Sequence, residues 1–194
     1  MADRAATVTV TLETTAGPID VTVYPERAPV SAGDFLRYVD QGLYDGGAFY
    51  RVVRADNDHG TPRIEVIQGG LQDESRALPR VAHETTRDTG ITHLDGTISL
   101  ARGAPGTGSG AAFFICVGDQ PALDFGGRRN ADGLGFAVFG RVTRGMGVVH
   151  AIYGMKSDGP APSEYVQGQM LSPPVAIVRA YRKSSPTMSS PPGR

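Results

Sequence analysis

Short runs in which apolar residues alternate with polar ones recur along most of this chain, and that period of two constrains the fold more than any other feature. Val8, Val10 and Leu12 alternate with threonines, and Ile19, Val21 and Val23 repeat the pattern after a Gly17-Pro18 turn. Alternation at this period lays one face of a strand on the core, so the two runs read as a hairpin. Further strands are expected at 49–53 and 64–68, on either side of the polar loop 54–63. Others follow at 97–101 and 112–117, flanking the glycine-rich segment 103–110, and then at 136–142 and 175–181. Helical spacing appears twice: after Pro25 and Pro29, where Phe35, Leu36 and Val39 share a face, and over 146–153. Ser31 is the expected N-cap of the first helix, with Asp34 three residues on, and Gly42 its stop. Seven or eight strands and two helices without βαβ alternation argue against a parallel, doubly wound sheet. A closed antiparallel barrel capped by two α-helices is the natural arrangement, because closure removes edge strands.

The chain of 194 residues is long enough for one domain with a buried core. We expect that domain at 7–182, followed by a disordered Ser- and Pro-rich tail at 183–194. Nineteen basic residues against twenty acidic ones leave a net charge of −1, so neither a nucleic-acid footprint nor a basic membrane patch is expected. No run approaches the ~18 apolar residues of a membrane helix. Residues 1–6 lack the apolar segment of a signal peptide. The expectation is a cytoplasmic monomer, exported only if a leader has been removed. Cys116 is the single cysteine, which rules out an intrachain disulfide; inside 113–117 it reads as a small buried hydrophobe.

Chemistry concentrates in two of the expected strands. Phe49-Tyr50-Arg51-Val52-Val53 carries an arginine in apolar surroundings, and Gln68-Gly69-Gly70 ends the next strand with a glutamine. A cation so placed must reach water or meet a partner. Other patterns fall short of known sites. Gly106-Thr107-Gly108-Ser109-Gly110 lacks the Lys-Ser/Thr of a phosphate loop and reads as a flexible surface loop. Asp56-Asn57-Asp58 fails as a calcium loop, and His83-Glu84 with His93 does not form a zinc motif, so no metal or other cofactor is expected. Ser, His and Asp are all present without a nucleophile elbow. These residues read as solvated loop positions.

Taken in order, the segments resemble cyclophilin-type peptidyl-prolyl isomerases. The likeness rests on Gly17-Pro18-Ile19, Phe49-Tyr50-Arg51-Val52-Val53, Val66-Ile67-Gln68-Gly69-Gly70 and Asp95-Gly96-Thr97-Ile98-Ser99-Leu100-Ala101-Arg102. Phe113-Phe114-Ile115 and Phe136-Ala137-Val138-Phe139-Gly140-Arg141-Val142 continue it. The Ala101-Arg102 ending is closer to bacterial members. The resemblance implies an eight-stranded barrel and a cofactor-free enzyme that accelerates rotation of Xaa-Pro bonds in proline-containing peptides and unfolded proteins. It implies Arg51 as the catalytic group, with Val66, Gln68, Ala101, Phe114, Leu123 and Phe136 binding substrate. Against the family pattern, Glu65 stands for an aromatic pocket residue, Ala112 for a glutamine, Ala122 for a tryptophan or phenylalanine, and Phe136 for a histidine. The loss at 122 implies weak cyclosporin binding at most. Glu65 and Ala122 leave a second reading, a proline-peptide binding module with weak or no turnover. A wide ligand-holding barrel is disfavoured by the large residues at alternating strand positions.

Overall fold

The computed structural model describes residues 6–184; of the expected tail, residues 185–194 lie outside the described residues. In chain order the elements are β1 (Val8–Thr14), β2 (Gly17–Val23), α1 (Pro29–Asp40), β3 (Ala48–Val53), β4 (Val66–Gly70) and β5 (Val81–Ala82). They continue with α2 (Thr86–Thr89), β6 (Thr97–Ala101), β7 (Thr107–Cys116), β8 (Ala137–Arg144), α3 (Met146–Tyr153) and β9 (Met170–Arg182). Eight strands run β4-β3-β9-β1-β2-β8-β6-β7, and a β4–β7 pairing closes the ring. Every ladder is antiparallel, and the two-residue β5 hangs on β7 outside the ring.

The period of two decides which side chains fill the barrel. Leu12, Ile19, Val21, Val52, Ile67, Ile98, Phe113 and Ile115 are inaccessible to solvent and share one core cluster. Phe113 sits at its centre, with Phe35, Tyr44 and Phe49 edge-on around it at 5.8, 5.3 and 5.7 Å. Two helices cap this core. Helix α1 contributes Phe35 and Tyr38, while α3 contributes Val149 and Ile152. A third helix, α2, is one turn long, held by a reciprocal Thr85–Asp88 capping box and ended by left-handed Gly90.

Three local expectations change. Helix α1 starts at Pro29 with Ala28 as N-cap, because the ring fixes φ in the first turn where no N–H is needed. Ser31 is therefore inside the helix, and Asp34 faces β7, accepting the Gly110 N–H at 2.7 Å. The glycine-rich segment is no flexible loop from 107 onward, since β7 includes it. Gly110 leaves room for two rings: the Tyr44 hydroxyl donates to its carbonyl at 2.7 Å, and a Cβ there would meet the Tyr38 ring at 2.7 Å. Near the end of the described residues Lys183 is docked, its ammonium 2.9 Å from Asp20 and its N–H bonded to the Thr9 carbonyl.

The Gly110 packing has a measurable consequence. Gly110→Val forces Tyr38 out of its place and should lower stability by roughly 1–3 kcal/mol, the usual cost of overpacking. Urea unfolding reads the difference; an unchanged midpoint would show that the ring has room to move.

Candidate active site

The other face of the same strands builds a groove outside the barrel. In the β3–β4 ladder Arg51 pairs with Gln68 and Val53 with Val66; in the β4–β7 ladder Gln68 pairs with Phe114 and Val66 with Cys116. Side chains two apart share a face, so Arg51, Val53, Val66, Gln68 and Phe114 emerge together. Val53, Ile64, Val66, Phe114, Cys116 and Leu123 form a second apolar cluster, separate from the core. The result is a groove of about 190 Å³. All seven residues expected from the sequence line it: Arg51, Val66, Gln68, Ala101, Phe114, Leu123 and Phe136. A larger hollow of about 430 Å³ adjoins it and shares Gln68, Ala101 and Arg102.

Arg51 is held by uncharged partners. Its Nε donates to Gln169 Oε1 at 2.8 Å and its Nη1 to Gln68 Oε1 at 2.9 Å. Gln169 is fully buried and in turn donates to the Asn57 carbonyl at 2.8 Å. Among the described residues Arg51 makes no ion pair. Burial draws its basicity down; Tyr165 opposes this, and Arg129 adds to it. It stays a cation at any physiological pH.

Two arginine–aspartate pairs stand beside it. Arg129 makes a bidentate contact with Asp58 at 2.7 and 2.8 Å, and both side chains are almost fully buried. Burial raises the Asp58 carboxyl, but Arg129 and the N–H groups of Gly60 and Ile64 outweigh that and hold it below the ordinary value. Arg102 grips Asp132 at 2.8 and 2.9 Å and lies 5.3 Å from the centre of the Phe136 ring. Phe136 meets Phe114 edge-on at 5.2 Å. Beneath Phe114, at 5.8 Å and nearly parallel, lies His93. Its Nδ1 is 2.7 Å from Asp124 and its Nε2 3.1 Å from Ser99. The carboxylate places the proton on Nδ1, so Nε2 accepts from the serine hydroxyl. Ser99, His93 and Asp124 thus stand in the order of a hydrolytic triad, yet Ser99 is inaccessible and the group supports the groove floor.

Several sequence expectations are corrected by this geometry. Glu65 is not in the groove wall. It points toward α3, where its carboxylate accepts from the Tyr153 hydroxyl, and Ile64 lines the groove instead. Ala112 lines the adjoining hollow, and Ala122 packs against the outer cluster without lining the groove. Asp58 and His93 are buried pairing residues, not solvated loop positions. Cys116 is a buried hydrophobe, its thiol pushed up to about 12 by burial. Val53, Ile64, Arg102, Arg129, Asn130 and Tyr165 also line the groove and were missed. Val53 was within reach, being two residues from Arg51 on one strand. The Arg129 and Tyr165 loops carry no periodic signal.

Residues 9–181 match the family described as cyclophilin type peptidyl-prolyl cis-trans isomerase/CLD. The chain belongs to this family. Peptidyl-prolyl cis-trans isomerase A of Dickeya dadantii is 35% identical over 174 residues, covering 88% of this chain and 82% of that protein. Peptidyl-prolyl cis-trans isomerase cyp18 of Streptomyces antibioticus is 37% identical over 154 residues, covering 77% and 85%. The crystal structure of a Cryptosporidium parvum cyclophilin type isomerase superposes with a TM-score of 0.66, covering 93% of this chain and all of the other at 16% identity, which bears on the fold.

The buried histidine should make the fold lose stability in acid. Burial lowers the His93 pKa, although Asp124 opposes it, so the unfolded chain takes up a proton near 6.5 and the fold only at lower pH. Its contribution to stability is complete above pH 6.5 and is lost as pH falls below that value. Burial beside Arg102 moves His83 in the same direction. The urea midpoint should therefore drop steadily on acidification, and His93→Gln, which keeps a donor for Asp124, should flatten the slope. An identical slope in the variant would remove His93 from the cause.

Proposed function

We propose that this chain accelerates cis–trans rotation of the peptide bond before proline, with the prolyl ring in the Val66–Phe114–Leu123–Phe136 groove and Arg51 as the catalytic group. Rotation of an Xaa-Pro amide faces a barrier of ~18–20 kcal/mol, set by resonance between nitrogen and carbonyl. Twisting the bond breaks that resonance and returns a lone pair to the prolyl nitrogen. A guanidinium N–H aimed at this nitrogen stabilises the twisted amide more than either planar form, which is differential binding of the transition state. No proton moves and no covalent bond forms.

The observation that carries this reading is Arg51 poised without a carboxylate, at the edge of an apolar groove. A paired arginine would have its field spent on its partner. Gln68 serves twice: Oε1 orients Arg51, and Nε2, which donates only a long 3.4 Å bond to the Tyr50 hydroxyl, can be given over to a substrate carbonyl. Substrate chain flanking the proline passes over Ala101 into the adjoining hollow. Flexible proline-containing segments of unfolded proteins fit such an open cleft, and the short side chain at 122 fits weak cyclosporin binding. The binding-module alternative loses one of its two supports, because Glu65 faces away from the groove.

Arg51→Ala should lower turnover of an Ala-Pro peptide by about a hundredfold or more, the usual worth of one preorganised donor. A protease-coupled assay on wild type and variant checks this. Equal rates would transfer catalysis to another group, and peptide binding with no acceleration by the wild type would favour the binding module.

A further inference from the structure

Tyr165 is an aromatic side chain that is held firmly yet left uncovered. It belongs to the 3-10 turn Glu164–Val166, lines the groove, and is 51% exposed. A surface tyrosine on a long loop would ordinarily keep its rotamer freedom. This one is tethered: Arg129 Nη2 donates to its hydroxyl at 3.0 Å. The same guanidinium is fixed by Asp58 and by the Pro62 carbonyl at 2.8 Å. Its ring centre lies 5.6 Å from Arg51 Cζ. An aromatic ring with one polar tip anchored and its body exposed is suited to burying area against a ligand at little entropic cost. Mere support of Arg51 would not require that exposure, since Gln68 and Gln169 already hold the guanidinium.

We propose that Tyr165 is a substrate-contacting residue whose ring packs on the peptide beside the proline, with Arg129 as the positioning residue that holds it there. This rests on the proline-peptide reading of the groove. The ring contributes to binding in the ground and transition states alike, so its loss acts on KM and leaves kcat in place.

The chain has no tryptophan, which makes a fluorescence test clean. Tyr165→Trp places a lone indole at the groove; titration with a short Ala-Pro peptide should shift its emission to the blue, and a proline-free Ala peptide should not. In the coupled assay Tyr165→Ala should raise KM about fivefold or more with kcat within about twofold, as expected for loss of one aromatic contact. Tyr165→Phe keeps the ring and loses the tether, and should give a smaller rise in KM. Unchanged emission together with unchanged KM overturns the proposal. So does a fall in kcat at constant KM, which would make the ring a prop for Arg51. If the wild type fails to accelerate rotation but the indole responds to proline peptide, the contact stands and the isomerase reading falls.

Discussion

Pairing of β4 with β7 turns a ribbon of strands into a closed barrel, and the approach of three backbones at that seam needs glycine. A Cβ on Gly69 would press on the Ala48 carbonyl of β3, and one on Gly70, whose φ is 142°, would overlap the Ala111 carbonyl of β7. Side chains are excluded at these two positions. The seam also fixes the groove. Gln68 is opposite Arg51 on one side and opposite Phe114 on the other, so the pairing that closes the core brings donor and apolar wall together. Core and site are two faces of one ladder, and a slip of one residue would exchange them.

Charge is distributed around the groove with a consistent logic. Arg129 and Arg102 are spent on Asp58 and Asp132, while Arg51 meets only amide oxygens. The Arg129–Asp58 pair is buried, and breaking such a pair would leave a costly lone charge, so it enforces geometry. The Arg102–Asp132 pair lies at the surface and fixes Arg102 by its bidentate grip. Each of these pairs sits against a ring of the groove wall: Arg129 bonds the Tyr165 hydroxyl and Arg102 lies over Phe136. The walls are fixed by neutralised arginines, and Arg51 is left without a carboxylate, as the donor role we propose for it requires.

What could be read in the sequence follows from the range of the forces involved. Alternation is a local property, so the strands of the barrel and the shared face of Val66 and Gln68 were legible. Helix α3 was legible over Met146–Tyr153 for the same reason, with its apolar side chains at helical spacing. Residue order and family likeness placed seven residues that line the groove, but position in the family pattern alone put Glu65 in the wall. Parity would have chosen Ile64, two residues from Val66, and the structure does. The glycine-rich run looked like a loop because its partners, Tyr38 and Tyr44, come from a distant helix and the turn after it. Arg129 and Asp58 are 71 residues apart, and no local pattern announces such a pair.

The polar loop 54–63 is where the chain invests its ordering. Arg54 donates to the Tyr153 and Met155 carbonyls and to Ser157, which ties the loop to the end of α3. Asn57 bonds the Val52 and Gly168 carbonyls, and its own carbonyl receives Gln169. Gln169 then fixes Nε of Arg51. Donor catalysis depends on a group that need not reorganise when the amide twists. Here the position of one guanidinium is set through Gln169 and Asn57 by two loops that are themselves cross-bonded. With Arg51 as the donor we propose, efficiency should depend on this polar scaffold more than on the apolar residues of the pocket, since a looser wall costs binding while a looser donor costs the barrier itself.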